Sequence, residues 1–236
     1  MNTAPQFTGR PLSANEMTLE QFRFNMVEQS LRPSGVLNDR VVETFHTLER
    51  DLFVAPEYKN LAYSDMTLPI VVKDQKTTET MLSPILEAHI AEKLQLKPSD
   101  SVLEIGTGSG FQAAVLSRLA DHVTSVEINS AIAAQAKANL AQAGINNVKI
   151  EIGDGHAGWG NAEYDAIAVT GAVKSIPDSL KYQLAEGGRM LIIVGEPQLM
   201  TLYRITRKSP AQFDVESFFE TDIPFLKGES ISHFKF

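Results

Sequence analysis

Residues 101–112 read SVLEIGTGSGFQ, an apolar strand pattern that runs into glycines at 106, 108 and 110 and then into a helical pattern. A turn made of Gly106, Thr107, Gly108, Ser109 and Gly110 brings bare backbone close to a ligand, with no Cβ in the way. Such a turn hosts a nucleotide-like molecule. A plain strand-to-helix turn carries the same glycines, so the surrounding acids decide the reading. Glu104 stands two residues before the first glycine, inside the strand. A carboxylate there repels a pyrophosphate and attracts a cation. Glu127 ends HVTSVE, is followed by Ile128, and stands where an acid accepts both ribose hydroxyls. Asp154 and Gly155 lie in the GDG of 153–155, where an Asp can accept from an adenine amino group; an Asx turn is the simpler use of the same residue. Acids at the ends of three neighbouring strands, with no basic residue on these loops, favour S-adenosylmethionine over a dinucleotide. Readings from other classes are a non-catalytic sensor of that cofactor and an NAD-dependent oxidoreductase. Glu104 and the acidic loops speak against the second.

The elements that must position these residues follow from periodicity. After Pro98, strands SVLEI, HVTSVEI, NVKIEIGDG, YDAIAVTGA and GRMLIIVG alternate with helices FQAAVLSRLA, SAIAAQAKANLAQAG and IPDSLKYQL. That alternation predicts an α/β fold, a parallel sheet covered on both faces. GEPQ is too short for a crossover helix, so RMLIIV and MTLYRIT form an antiparallel hairpin, with FDVESFFETD as a further strand. Upstream, TLEQ is a capping box opening a helix at Thr18 that stops near Pro33, with Leu19, Phe22, Met26 and Val27 on one face. A second helix starts after Asn38 and turns Val41, Val42, Phe45 and Leu48 inward. VVKDQKTTETML is polar and reads as a loop. SPILEAHIAEKLQL is a helix with Ser83 as N-cap and Pro84 in its first position. The chain reads as one domain: a loose arm at 1–16, a helical cap and cofactor loop at 17–97, and the core at 98–236.

The 236 residues suffice for one sizeable core. A net charge of −8 lacks the basic footprint that nucleic acid demands. The absence of cysteine excludes disulfides and thiolate catalysis and fits a cytoplasmic enzyme. The polar amino-terminal stretch is not a signal peptide, and no apolar run approaches the roughly 18 residues of a membrane span. The histidines lack ligand spacing, so no metal is expected.

The segments VLEIGTGSGFQAAVLSRLADHVTSVE, IGDGHAGW, YDAIAVTGA, IPDSLKYQLAEGGRMLIIVG and IPFLKG together resemble the protein-L-isoaspartate O-methyltransferase family, and the likeness extends upstream through RDLFVAPEYKNLAYSDMTLPI. The resemblance implies a Rossmann-like S-adenosylmethionine-dependent methyltransferase fold, doubly wound, with an antiparallel C-terminal hairpin and an N-terminal helical cap. It implies methylation of the α-carboxylate of isoaspartyl residues in damaged protein or peptide. The family's Thr-Ile-Ser segment aligns, through Pro84, with Thr80, Met81 and Leu82, so leucine replaces the serine that faces the methyl-transfer site. The 71–80 loop lacks the family's glycines, and GAVKSIP departs too. All three changes lie on the substrate side, which leaves open a different acceptor.

The expected cofactor site comprises Thr80, Met81, Leu82, Glu87, Glu104, Gly106, Thr107, Gly108, Ser109, Gly110, Glu127, Ile128, Asp154 and Gly155, with no catalytic residue assigned. Glu87, one turn into its helix, either reaches the methionine end of the cofactor or is an ordinary exposed glutamate. His89 reads as a surface or hydrogen-bonded histidine. His156 reads as adenine wall or loop surface, and Trp159 as a core anchor. Thr170 and Gly171 mark the substrate entrance.

Overall fold

A computed structural model of the chain describes residues 17–228; the arm expected at 1–16 lies outside them. The first helix, α1 (Leu19–Met26), opens on the expected capping box: the Gln21 N–H donates to Thr18 Oγ1 at 3.2 Å and the Thr18 N–H to Gln21 Oε1 at 2.8 Å. It continues as one π-helical turn, Val27–Leu31, which buries both of those end residues. Next, α2 (Asp39–Thr47), capped by Asn38, buries Val41, Val42, Phe45 and Leu48 as the spacing requires. Two 3₁₀ turns, Arg50–Leu52 and Pro56–Leu61, lead to β1 (Leu68–Val72) and β2 (Gln75–Met81).

That pair corrects the reading of 71–82 as a loop. It is an antiparallel hairpin, Val72 facing Gln75 across a two-residue turn. Lys73 and Asp74 both take left-handed φ, 50° and 61°. Sequences normally mark this turn with Asn-Gly, and its absence hid the hairpin. The following α3 (Pro84–Leu94) has Ser83 in the N-cap position, but the serine side chain makes no capping bond, a second correction. The N–H of Ile85, one of those a cap would serve, donates instead to Asp65 Oδ1 at 3.3 Å.

The large sheet holds β3 (Ser101–Ile105), β4 (His122–Glu127), β5 (Val148–Ile152), β6 (Tyr164–Val169), β7 (Leu184–Glu196), β8 (Leu199–Ser209) and β9 (Gln212–Thr221) in the order β5-β4-β3-β6-β7-β8-β9. The five strands from β5 to β7 are parallel and the last two antiparallel. Between them run α4 (Phe111–Leu119), α5 (Ser130–Gln142) and the short α6 (Asp178–Tyr182). The helix expected over 176–184 is thus one and a half turns. Leu184 already pairs with Tyr164, so β7 begins before the glycines that suggested its start.

Strand alternation splits the core. Val102, Ala166, Ala168, Leu191 and Ile193 face α2–α5; Leu103, Ile105, Ile167, Met190 and Ile192 face Leu180 of α6 and the Trp159 loop. His89 is buried, not at the surface, with its ring centre 5.0 Å from that of Phe219. A helix face that meets β9 is invisible until β9 is placed.

At the centre of the cap lies Arg50, with no exposed surface. Its guanidinium donates to Glu87 Oε2 at 3.0 Å and to the carbonyls of Ala62 and Leu82, both at 2.6 Å, and lies 5.3 Å from the centre of the Phe111 ring. Four segments converge on one cation. Replacing Arg50 by Met strands the Glu87 carboxyl in the core and is expected to cost about 3–5 kcal/mol. The double variant Arg50→Met/Glu87→Leu should be more stable than the single one. Urea denaturation measures both; a double variant no more stable than Arg50→Met would refute the pairing account.

Candidate functional site

In the strand order, the chain moves from β3 to β4 and β5, then crosses back to β6 on the other side of β3. The crevice outside the carboxyl ends at such a reversal is where open α/β sheets bind ligands. A cavity of about 350 Å³ lies there, its floor formed by the ends of β3, β4, β5 and β6. From β3 come Ile105 and Gly106, from β4 Glu127 and Ile128, from β5 Gly153, Asp154 and Gly155, and from β6 Thr170 and Gly171.

The glycines are demanded by contact. At Gly106 (φ 96°) a Cβ would stand 2.6 Å from Thr170 Oγ1; at Gly155 one would stand 2.7 Å from Ile105 Cδ1. Only bare backbone leaves the floor open. The Thr170 hydroxyl donates to the Gly106 carbonyl at 2.6 Å, tying the turn to β6.

Of the expected site residues, Thr80, Leu82, Gly106, Gly108, Glu127, Ile128, Asp154 and Gly155 line the cavity. Thr107, Ser109 and Gly110 shape the turn from behind. Thr107 Oγ1 lies 2.6 Å from Ser125 Oγ, the Ser109 carbonyl accepts from Asn139 Nδ2 at 3.0 Å, and Gly110 (φ 87°) opens α4. Met81 is buried in the cap core. Glu87 points to Arg50 rather than into the cavity. Glu104 is fully buried behind the wall, its Oε2 accepting a hydrogen bond from Ser125.

The acids differ in state. Glu127 accepts the N–H of Gly108 and of Asn129, both at 3.0 Å, so its two oxygens keep lone pairs for a diol. Asp154 forms the Asx turn, accepting the His156 N–H at 3.0 Å, and still lines the cavity; that bond first, and then the imidazole, hold its carboxyl below the usual range. Glu104 goes the other way. Burial pushes it up to about 8, with Glu127 and Glu87 adding to the effect and the Ser125 bond opposing it. Its Oε1 is buried with no partner among the described residues. Burial also raises Glu87, to about 7, against the pull of Arg50.

His156 stands in the cavity wall. Trp159 packs on the second core and covers Gly153, where a Cβ would meet its ring at 2.5 Å. The roof comes from β2 and from residues 224–228. Ala172 ties down the segment through two backbone bonds, its carbonyl accepting the Leu226 N–H at 2.9 Å and its N–H donating to the Pro224 carbonyl at 3.0 Å. Lys227 Nζ then reaches Thr78 Oγ1 at 2.7 Å and Glu79 Oε1 at 3.2 Å. Beyond Thr80, Met81 and Leu82, no residue of β2 or of 224–228 was expected in the site. The one signal was IPFLKG, which carried the family likeness but no assigned role.

Comparisons with known proteins agree with this fold. The family model for Protein-L-isoaspartate(D-aspartate) O-methyltransferase matches residues 23–225. A protein-L-isoaspartate O-methyltransferase from Methylorubrum populi is 38% identical over 208 residues, spanning 87% of this chain and 95% of that one. One from Vibrio cholerae is 43% identical over 181 residues, 76% of this chain and 84% of its own. Among solved structures, a protein-L-isoaspartate O-methyltransferase superposes with a TM-score of 0.76 at 28% identity, over 89% of this chain and 66% of that one. A Plasmodium falciparum beta-aspartate methyltransferase in complex with S-adenosyl-L-homocysteine superposes with a TM-score of 0.74 at 21% identity, over 90% and 99% of the two chains, and shares the fold.

The state of Glu104 has a measurable consequence. Its carboxyl titrates at an ordinary 4.5 when unfolded and about 8 when folded, so the native state holds the extra proton between those values. Stability contributed by a raised carboxyl is present below the unfolded value and is lost as pH rises through the folded one. The ligand-free protein should therefore melt at progressively lower temperature from about pH 5 to about pH 8, and Glu104→Gln should flatten that slope. Thermal melts across the range decide it; an equal slope in the variant would refute the assignment.

Proposed function

Because the chain belongs to the protein-L-isoaspartate(D-aspartate) O-methyltransferase family, we propose that it transfers the methyl group of S-adenosylmethionine to the α-carboxylate of L-isoaspartyl residues in damaged proteins. The observation that carries the reading is the glycine-floored cavity at the sheet reversal, with acceptors at the ends of two strands. The residues fit the cofactor. Glu127 has lone pairs for ribose hydroxyls, Asp154 for an adenine amino group, and Ile128, 45% exposed in the wall, offers an apolar face to a base. When bound, the cofactor supplies an activated methyl on a sulfonium.

The acceptor carboxylate is ionised at neutral pH, its pKa being about 4, so it attacks without a general base. What the chain must do is align the two reactants and exclude water. Thr78, Thr80, Leu82 and residues 224–228 line the cavity on its roof side, where that shielding would be supplied. Its acidic, cysteine-free composition supports a cytoplasmic protein-repair enzyme that does not engage nucleic acid. Among the described residues no helix is long and apolar enough to cross a membrane.

Leu82 favours a second reading. It is 6% exposed in the cavity wall and has no donor for a carboxylate. On that reading the cofactor is kept and the acceptor is another group.

The test is methanol release from labelled S-adenosylmethionine with an isoaspartyl peptide and its aspartyl twin. Release from the isoaspartyl peptide alone is expected. Leu82→Ser should then raise kcat/KM by roughly two- to tenfold, the worth of one added hydrogen bond. A silent wild type that binds S-adenosylhomocysteine in calorimetry, and gains activity only as Leu82→Ser, would establish the second reading instead.

A further inference from the structure

We infer that Lys227 receives the substrate's carboxylate, in place of the hydroxyl that Leu82 lacks. The inference rests on the methyl-transfer reading above. The cavity is lined by three acids, Glu79, Glu127 and Asp154, and an anionic substrate is repelled by each of them. Among the described lining residues Lys227 is the one Lys or Arg.

Its placement is fixed at both ends. The backbone of 224–226 is bonded to Ala172 just beyond β6, and the ammonium to Thr78 and Glu79 on β2. An ammonium has three N–H donors, and those contacts use two. The side chain is 50% exposed, so it meets an arriving peptide without first being stripped of water. Thr78, Thr80 and Leu82 alternate along one run of chain and all line the cavity. The Thr80 hydroxyl is buried with no partner among the described residues, a second donor in the same wall. Lys227 with Thr80 therefore makes a carboxylate seat, and Glu79 is a positioning residue that holds the ammonium over it.

The seat selects a free α-carboxylate over its neutral amide. The full chain is assayed as wild type, Lys227→Gln and Lys227→Arg. Readouts are KM and kcat on an isoaspartyl peptide, inhibition by the matched peptide whose α-carboxyl is a carboxamide, and the calorimetric Kd for S-adenosylhomocysteine. Lys227→Gln is expected to raise KM by roughly ten- to a hundredfold, as loss of a charged hydrogen bond does, with kcat within about threefold. The Kd should stay within about twofold, Lys227→Arg should recover most of the KM, and the glutamine variant should lose the wild type's preference for acid over amide. An unchanged KM, or a raised KM with the preference intact, would overturn the assignment and leave the function standing. A wild type that binds S-adenosylhomocysteine but never methylates the peptide would overturn the functional reading, and the assignment with it.

Discussion

The buried cation of Arg50 is the constraint from which the candidate site hangs. Desolvating a guanidinium is expensive, and only complete pairing offsets the cost. Each of its three nitrogens is engaged, and the partners come from several stretches of chain: the carbonyl that ends the second 3₁₀ turn's segment, the carbonyl of Leu82, the carboxyl of Glu87 and, stacked on the cation, the ring of Phe111. Two of the pieces lead into the cavity. Leu82 and the strand before it form the roof, and Phe111 begins the helix that follows the glycine turn. Fixing one charge therefore fixes the spacing between roof and floor. A hydrophobic residue of equal volume would pack there but would set no such register.

The electrostatics of the cavity follow from depth. Asp154 at the rim is ionised and engaged by a backbone amide; Glu104, one layer behind Gly106, favours its proton. Residues that look alike in sequence, acids near three strand ends, thus divide into two that accept backbone N–H bonds at the cavity, Glu127 and Asp154, and one buried behind it whose carboxyl is raised, Glu104. Burial makes the division, and burial depends on strand pairing.

The floor of the site was legible because its chemistry is local. Gly106, Gly108, Glu127, Asp154 and Gly155 each sit within three residues of a strand end, and strand ends are visible as a change of periodicity. The α/β order, the antiparallel ending and the inward faces of α1 and α2 were legible for the same reason. The roof was not. β2 is polar along its length and owes its strand form to β1 and to a turn without glycine. Glu87 has the spacing of a surface glutamate, and its partner lies 37 residues away. Ser125 sits in an apolar strand as an unremarked small residue, and its bond to Glu104 appears only once β3 and β4 lie side by side.

The bond between Lys227 and Thr78 joins residues 149 positions apart. A chain synthesised from its amino end presents the β1–β2 hairpin and the glycine turn long before residue 227 exists. The contact closes only once residue 227 has been made and the final segment lies beside Ala172. Until then the crevice has a floor and one wall. A ligand that needs both walls finds no complete partner on a half-made chain, and by mass action it stabilises finished molecules only. Occupancy of this cavity therefore records that folding has run through the last strand of the sheet.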